Sequence, residues 1–433
     1  MKRGDYEYIW QAPDWPAWRF DLPSLAQPLA DVSRAQGVLM GRLADVGLAQ
    51  RDQASLLAIT DDVVKTSAIE GEALDVASVR SSVARRLGVD IGALAPADRH
   101  VEGVVEMVLD ATAHGDAPLT RERLFSWHAA LFPTGRSGLE SIQVGAWRDD
   151  ARGPMQVVSG TLRGPERQRV HFQAPPAHRL EAEMQVFLAW ANGTTASTEP
   201  ALIKAGLAHL WFVTLHPFDD GNGRIARAVG DLFLARADGS TQRFYSLSAQ
   251  IQRERKAYYD TLERSQKQSM DATEWLAWFL ATLHRAVDEA QHTLDTVLTK
   301  TRFWQQQAVH TAAPLNERQV KLINRLLDGF DGKLTSSKWA TMAKCSPDTA
   351  LRDITDLLTR GILRKSDAGG RSTSYELNGA DDFVFRIDDH SHRVALAGHG
   401  IHHGLIPIFS MNSRTAKTVK IETLRTRGRD TGS

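Results

Sequence analysis

Residues 216–227 read HPFDDGNGRIAR, and this polar stretch lies between two apolar segments. Residues 201–215, before it, are almost all apolar, and after it Ala226, Val229 and Phe233 recur at helical spacing. Apolar residues three and four apart predict a helix that buries one face. The stretch therefore predicts a turn between two buried helices, with its second half opening the second helix.

The start of that second helix predicts an anion-binding site. The first backbone N–H groups of a helix have no intrahelical partner, and the helix dipole is positive there. Gly221 and Gly223 let an anion approach closely, because glycine has no side chain and adopts backbone angles closed to other residues. Asn222 adds a side-chain donor. Arg224 and Arg227 share one helix face, where two guanidinium groups suit phosphate oxygens.

Two further side chains supply chemistry beside this anion site. Asp220 is a hard oxygen ligand of the kind that Mg2+ uses when it also binds substrate phosphates. His216 ends the preceding helix and can accept a proton near neutral pH. A base, a metal carboxylate and an anion cradle together predict nucleotidyl or phosphoryl transfer. Each residue alone favours a plain Gly-Asn-Gly turn with solvated charges, and that is the structural alternative.

The stretch also resembles the motif of the Fic family, His-x-Phe-x-(Asp/Glu)-Gly-Asn-Gly-Arg-x-x-Arg, at every specified position. The resemblance implies a protein adenylyltransferase that moves AMP from ATP to a hydroxyl of a target protein and releases pyrophosphate. It implies that His216 is the base, that Asp220 holds Mg2+ and that residues 221–223 bind the α- and β-phosphates. Arg224 would steady the β-phosphate, and Arg227 would meet the γ-phosphate or an inhibitory partner.

A second segment reads TSAIEG and resembles the Fic inhibitory motif, (Ser/Thr)-x-x-x-Glu-(Gly/Asn), through Thr66, Glu70 and Gly71. It ends a helix predicted over about residues 52–71, and its position matches the Fic class whose inhibitory helix is N-terminal in the same chain. Glu70 would form a bidentate pair with Arg227, which would leave ATP only a non-productive position. The alternative is a solvated helix end, because a glutamate before a terminal glycine is common.

Composition is typical of a soluble globular protein, with 42% hydrophobic and 24% charged residues. The formal net charge is zero, so there is no overall attraction to nucleic acid or to a membrane surface. The single cysteine, Cys345, excludes a disulfide framework within the chain and a cysteine-based zinc site. The N-terminus lacks the apolar region of a signal peptide, and no run of about 18 apolar residues is present. We therefore expect a cytoplasmic protein without a membrane partner.

The predicted fold is mainly α, a Fic-type helical bundle with a β-hairpin flap and a C-terminal winged helix-turn-helix domain. Prolines in residues 1–30 predict an extended arm, and Asp52 is the expected N-cap of the inhibitory helix. The predicted domains are residues 1–115 (arm and inhibitory helix), 116–310 (catalytic core with the flap), 312–378 (winged helix-turn-helix) and 379–433 (a tail of unknown role).

Two short β-like runs predict a hairpin over about residues 155–173, with its turn at residues 160–165. In Fic proteins a hairpin called the flap lies here and aligns the target by strand pairing. The resemblance assigns this contact to Gln156, Val157 and Val158. Strand pairing reads backbone more than side chains, so the sequence does not name the target.

Residues 251–266 are predicted as one helix and resemble the helix that walls the adenosine site of Fic enzymes. Tyr258 or Tyr259 would stack on the base, with core packing as the alternative for each. His128 lies among apolar neighbours, which predicts a core histidine rather than a second base.

Residues 312–378 read as three helices and a two-stranded wing with a turn at residues 369–370. Ser346 and Pro347 predict the start of the third helix. This helix would be the DNA reader of a winged helix-turn-helix. Its predicted exposed charges are mixed, which leaves DNA and protein both open as partners. They are Asp348, Arg352, Asp353, Asp356 and Arg360.

Three other functions fit the same residues. The site could remove AMP from a target, with Glu70 orienting a water molecule. The chain could be a transcriptional regulator whose Fic site senses nucleotide, or it could transfer the γ-phosphate. The oligomeric state is open, with a homodimer among the options, and the histidines between residues 390 and 403 do not predict a metal site.

Overall fold

The computed structural model describes residues 6–92, 94–159, 169–193, 198–267, 269–310, 314–327, 330, 332–366, 373–378 and 421–425. The predicted mainly α fold is confirmed, because helices hold most of these residues and the strands are short. The helices are α1 (Leu22–Ala44), α2 (Leu48–Ile69), α3 (Val76–Leu87), α4 (Arg99–Ala113), α5 (Arg121–Leu131), α6 (Leu180–Ala191), α7 (Ala201–Leu215), α8 (Asn222–Asp238), α9 (Leu247–Arg253), α10 (Arg255–Ser265), α11 (Thr273–His310), α12 (Glu317–Leu327), α13 (Ser336–Ala343) and α14 (Pro347–Thr359). The strands are β1 (Arg136–Ser137), β2 (Glu140–Ser141), β3 (Met155–Ser159), β4 (Arg169–Gln173), β5 (Leu363–Lys365), β6 (Tyr375–Leu377) and β7 (Ile421–Arg425).

The chain divides into two compact units, Met1–Gln291 with Lys417–Ser433, and His292–Ala416. Within the described residues, no helix combines the length and the apolar character that a membrane span needs. The predicted turns at residues 160–165 and 369–370, and the histidines between residues 390 and 403, lie outside the described residues.

The first unit is built around the helix pair α7 and α8. Beyond its first residue, α7 is buried on every side except at Lys204, as expected for a helix that is apolar all round. Helix α8 packs along α7, and α4 and α5 pack on α8. The polar turn at residues 216–221, which joins α7 to α8, is therefore held within the core of the unit.

The extended arm predicted over residues 1–30 is wrong for residues 22–30, which form the first part of α1. One proline lies in the first turn of α1, where a missing N–H costs no helical hydrogen bond, and Pro28 lies inside the helix. The residues before α1 dock on the body of the unit, and the Trp10 indole donates to the Gln173 carbonyl at 2.7 Å. Packing of this kind outweighs the local cost of a proline.

Helix α2 begins earlier than predicted. Its N-cap is Gly47, so Asp52 lies inside the helix and does not cap it. The Asp52 carboxylate instead accepts a hydrogen bond from the Gln242 side chain at 3.1 Å, a long-range contact that a local capping rule does not detect. The predicted stop is present, because Gly71 follows the helix with φ +85°, a conformation that favours glycine.

The hairpin predicted over residues 155–173 is present. Strands β3 and β4 pair antiparallel, with Val157 opposite Phe172 and Val158 opposite Val170, so a bulge lies between the two pairs. Strand β7, which the sequence did not predict, pairs antiparallel with the other edge of β3.

The single helix predicted over residues 251–266 is wrong, because it breaks at Glu254 into α9 and α10. The Glu254 carboxylate accepts hydrogen bonds from Nε and Nη2 of Arg285, both at 2.6 Å. This tie to α11 holds the corner, which places α10 against the turn between α7 and α8.

In the second unit, helices α12 to α14 and the antiparallel pair β5–β6 follow one another around the buried Trp339. Ser346 caps α14, and Pro347 is its first residue, as predicted. The prediction that Asp353 is exposed is wrong, since the residue is only 5% exposed. Its carboxylate pairs with Arg318 at 3.1 Å. The winged helix-turn-helix and its partner stay predictions.

Candidate active site

The turn between α7 and α8 is fixed by its surroundings. His216 ends α7 with φ +50°, which is uncommon for a residue other than glycine. Next to it, Phe218 is buried and its ring stacks on His128 with 4.2 Å between centroids. His128 is a buried core residue, as predicted, and burial lowers its pKa to about 4.

The Asn222 side chain closes this turn. Its Oδ1 accepts from the Phe218 backbone N–H at 2.9 Å, and its Nδ2 donates to the Phe218 carbonyl at 2.8 Å. The side-chain donor expected to face an anion is therefore already used within the turn. A contact between Asn222 and a phosphate would fall to its backbone N–H at the start of α8.

The His216 imidazole is oriented as a base. Its Nδ1 lies 3.1 Å from the Val213 carbonyl oxygen, so the hydrogen-bond network assigns the ring proton to Nδ1 and a lone pair to Nε2. The residue is 7% exposed, and burial lowers its pKa to about 4. The imidazole is therefore neutral near pH 7 and can accept a proton through Nε2.

Arg148 holds the same turn from behind, and sequence reasoning gave it no role. Its Nε donates to the His216 carbonyl at 2.8 Å, and its backbone N–H donates to the Pro217 carbonyl at 2.9 Å. Its side chain has 0% exposure, and its Nη1 pairs with Asp150 at 2.8 Å. Arg148 therefore ties the turn to the segment that leads into β3.

A cavity of about 590 Å³ opens beside the turn, a volume typical of small-molecule sites. Its walls come from the turn, the N-terminus of α8, the end of α2, the hairpin and α10. The predicted site residues in its lining are Glu70, Val157, His216, Asp220, Gly221, Asn222, Gly223, Tyr258 and Tyr259. Residues predicted from distant parts of the sequence therefore meet in one cavity.

The Glu70 carboxylate lies over the N-terminus of α8. A Cβ atom on Gly223 would be 2.2 Å from Glu70 Oε1, so only glycine leaves room for this carboxylate. At the helix N-cap, Gly221 has φ +78°, and a Cβ atom there would be 2.9 Å from the Phe132 ring. A carboxylate of the chain itself thus occupies the place predicted for an anion.

Arg227 donates three hydrogen bonds to α2 and to the residue that ends it. Its Nε donates to Thr66 Oγ1 at 2.7 Å, and its Nη2 donates to the Thr66 carbonyl at 2.9 Å and to Glu70 Oε1 at 2.7 Å. The predicted bidentate pair is wrong, because only Nη2 reaches Glu70: Thr66 takes Nε, and Nη1 has no hydrogen-bond partner among the described residues. Burial lowers the pKa of Arg227, but the charge and hydrogen bond of Glu70, together with the nearby Tyr258 and Tyr259, outweigh burial and the pKa is raised. Arg227 is therefore charged in this pair.

The other arginine of the motif, Arg224, is paired with a different carboxylate. Its Nη1 lies 3.0 Å from Glu72 Oε2, and its guanidinium carbon lies 5.1 Å from the centroid of the Phe132 ring. Sequence reasoning missed Glu72, whose partner is 152 residues away along the chain. Arg224 is not among the residues that line the cavity.

Asp220 lines the cavity and is held at both carboxylate oxygens. Oδ1 accepts from the Gly221 N–H at 2.5 Å, and Oδ2 accepts from the Ser137 hydroxyl. No group of three or more His, Cys, Asp or Glu side chains in the described ranges is suited to hold a metal ion. A Mg2+ ion at Asp220 would take its other ligands from phosphates and water, which is its usual mode of binding.

Family comparisons match two parts of this chain. Residues 8–89 match a domain of unknown function (DUF4172), and residues 118–234 match the Fic/DOC family. The second match contains all of α7, the His216 turn and most of α8. Residues 118–234 form a Fic family domain.

Two curated relatives are similar to part of this chain. The uridine 5'-monophosphate transferase of Xanthomonas campestris is 31% identical over 132 residues, which cover 29% of this chain and 22% of the relative. The protein adenylyltransferase Fic of Drosophila melanogaster is 28% identical over 173 residues, which cover 39% of this chain and 31% of the relative. The chain thus spans less than a third of the length of these relatives.

Two solved Fic structures are similar to this one. A Fic family protein from Desulfovibrio desulfuricans has a TM-score of 0.45 at 20% identity and covers 82% of this chain and 96% of its own. Fic-1 of C. elegans has a TM-score of 0.41 at 16% identity and covers 65% of this chain and 74% of its own.

The predicted adenosine-pocket and flap residues lie on α10 and on β3. Tyr258 is 1% exposed, and its hydroxyl lies 2.9 Å from His209 Nε2, so much of it is core. Tyr259 lies under the Arg255 guanidinium, whose carbon is 5.3 Å from the centroid of the ring. On the flap, Val157 lines the cavity and Val158 is buried.

The third flap residue lies off the cavity. Gln156 donates from its side chain to the Gln173 side chain at 2.9 Å, across the hairpin, and is not among the lining residues. Of the three predicted flap residues, only Val157 therefore faces the site directly.

Proposed function

We propose that this chain is a nucleotidyltransferase that moves AMP from ATP to a hydroxyl of a target protein and that Glu70 restrains it. The names of the relatives, a protein adenylyltransferase and a UMP transferase, support transfer of a nucleoside monophosphate. The intact Fic motif supports AMP as the group transferred.

One observation carries the proposal. The His216 imidazole, with Nε2 as its proton acceptor, lines the same cavity as the N-terminus of α8. A base for the target hydroxyl and an anion-binding helix end for the polyphosphate are the two parts that this reaction needs.

In the proposed reaction, His216 Nε2 takes the proton of the target hydroxyl as its oxygen forms a bond to the α-phosphorus of ATP. The bond from the α-phosphorus to the bridging oxygen breaks, and pyrophosphate leaves with the electron pair. Backbone N–H groups of residues 222 and 223 hold the phosphates in line, since the Gly221 N–H is taken by Asp220. Arg148 holds His216 in place through its carbonyl. Asp220 would hold Mg2+, which neutralises charge on the phosphates when bound.

The proposed restraint follows from the position of the Glu70 carboxylate. The Glu70 carboxylate, 2.2 Å from an added Cβ on Gly223, occupies space that a phosphate of ATP would need. The same carboxylate also holds Arg227 at 2.7 Å, which withholds one guanidinium group from the nucleotide. Bound ATP would therefore sit without its outer phosphate in place.

The flap is the proposed contact for the target. Val157 faces the cavity, and a segment that pairs with β3 would bring a hydroxyl toward His216. Strand β7 lies along one edge of β3, with Thr423 opposite Val157. A target segment that uses this edge would have to displace β7.

The test uses Glu70→Gly protein, Mg2+ and a cell lysate as a source of targets. Label from α-labelled ATP is expected to appear on protein, with little or none from γ-labelled ATP or α-labelled UTP. Label from γ-labelled ATP would instead support phosphotransfer, and label from UTP would support UMP transfer. Release of AMP from a pre-modified protein, with no transfer in the forward direction, would support AMP removal.

A further inference from the structure

The end of α2 presents two carboxylates to the active site. The Gly71 N–H donates to the Ala68 carbonyl and the Glu72 N–H donates to the Ser67 carbonyl, both at 3.0 Å. These two bonds form the glycine-containing turn that often ends helices. The turn fixes the direction of the chain on both sides of Gly71, so Glu70 and Glu72 leave it at set positions.

The two carboxylates meet the two arginines of the motif, one each. Glu70 lies 2.7 Å from Arg227, and Glu72 lies 3.0 Å from Arg224. The arginines are three residues apart on α8 and share a face of it. A single turn at the end of α2 therefore occupies both guanidinium groups.

Glu72 has an anchor of its own. Its Oε1 lies 2.7 Å from His100 Nε2 on α4, while its Oε2 takes Arg224. Burial raises the pKa of Glu72, but contact with His100 and the charge of Arg224 outweigh it, so the pKa is lowered. The contact with Glu72 raises the pKa of His100. Glu72 is therefore held between the Arg224 guanidinium and the His100 imidazole.

Arg224 is held out of the nucleotide cavity. It is 5% exposed, it lies over the Phe132 ring, and the cavity lining does not include it, although it includes Asn222 and Gly223 just before it. Its Nε is buried and has no hydrogen-bond partner among the described residues. A partner that presented this guanidinium to a phosphate would direct it into the cavity. Glu72 instead holds the guanidinium away from the cavity.

We infer that Glu72 is a second inhibitory carboxylate, which keeps Arg224 from the nucleotide and is itself held by His100. This inference rests on the proposed function. Arg224 lies one helical turn nearer than Arg227 to the N-terminus of α8, so the phosphate it would meet is the β-phosphate, which AMP lacks. Removal of Glu70 alone would thus free Arg227 and leave Arg224 paired with Glu72.

The test is a calorimetric titration of AMP, ADP and ATP, with Mg2+, into Glu70→Gly and Glu70→Gly/Glu72→Gln proteins. Loss of one partly exposed charge-assisted contact predicts about fivefold tighter binding of ADP and ATP in the double variant. AMP, which lacks the β-phosphate that Arg224 would meet, is expected to bind both proteins equally. His100→Gln in the Glu70→Gly background is expected to act in the same direction with a smaller gain.

Glu102→Gln is the matched control, because Glu102 is on α4 with His100 and pairs with Arg86 at 2.8 Å, away from the cavity. It is expected to change none of the three affinities. Unchanged or weaker ADP binding by the double variant would overturn the inference and make Glu72 a positioning residue. If the double variant binds all three nucleotides more tightly by the same factor, or if the Glu102→Gln control gains the same affinity, the effect is a general loosening of the structure and the inference is overturned. Titration measures nucleotide affinity even if the protein transfers no label to a target. A failure of the proposed function can therefore be distinguished from a failure of this inference.

Discussion

Replacing Glu70 in two steps separates its charge from its bulk. Glu70→Gln keeps the shape of the side chain and removes its charge, while Glu70→Gly removes both. The carboxylate is 30% exposed and Arg227 is 2% exposed, with 2.7 Å between the paired atoms. Charge-assisted hydrogen bonds contribute about 1.5–3 kcal/mol, and partial exposure favours the lower end. About 1.5 kcal/mol corresponds to roughly tenfold tighter ATP binding for Glu70→Gln.

Glu70→Gly is expected to bind ATP more tightly still, because it also vacates the space over Gly223, where Oε1 lies 2.2 Å from an added Cβ. Titration calorimetry with ATP and Mg2+ measures the series. Glu181→Gln, which removes an exposed pair with Arg121 at 2.8 Å, is the control and should match the parent. If Glu70→Gln binds like the parent and only Glu70→Gly binds more tightly, the charge plays no part. If neither variant binds ATP more tightly than the parent, the proposed restraint by Glu70 is wrong.

Three further predictions concern the same site. Burial lowers the pKa of His216 to about 4, so the rate of transfer by Glu70→Gly protein should stay constant from about pH 8 to pH 5.5 and fall only below that. A fall in the rate centred near pH 6.5 would contradict a buried neutral base. Gly223→Ala should displace Glu70 and lower the melting temperature, without tighter ATP binding, since the methyl group fills the same space; binding as tight as that of Glu70→Gly would refute this. Deletion of residues 417–433 should raise transfer to lysate proteins severalfold by opening the edge of β3, and unchanged transfer would show that targets do not use this edge.

The sequence predicted the parts of the site that are close together along the chain. Residues 216–227 carry their chemistry at fixed spacing, so the turn, the helix start and the shared face of the two arginines follow from local rules. The hairpin and the helix stop at Gly71 are local in the same way, and both are present.

Contacts made across long stretches of chain were not predictable. Arg148 reaches His216 over 68 residues, and Glu72 reaches Arg224 over 152, and no spacing rule connects such pairs. The break at Glu254 has the same origin, because Arg285 on another helix holds the corner.

Where a local rule failed, tertiary structure had overridden it. Asp52 is a good N-cap residue by type, yet α2 begins at Leu48 and uses Asp52 in a contact with Gln242. Pro28 is a poor helix residue by type, yet it lies inside α1. In both cases a local preference of a few kcal/mol at most was outweighed by packing of the whole helix.

The central claim is that His216 transfers a proton in a site that Glu70 restrains. The most direct measurement compares the parent, Glu70→Gly and Glu70→Gly/His216→Ala for protein-bound label from α-labelled ATP with Mg2+, with nucleotide binding measured in parallel. The account predicts weak label on the parent, strong label with Glu70→Gly, and no label with the double variant, although the double variant still binds ATP. Label that persists without His216, or that is no stronger without Glu70, would contradict the account.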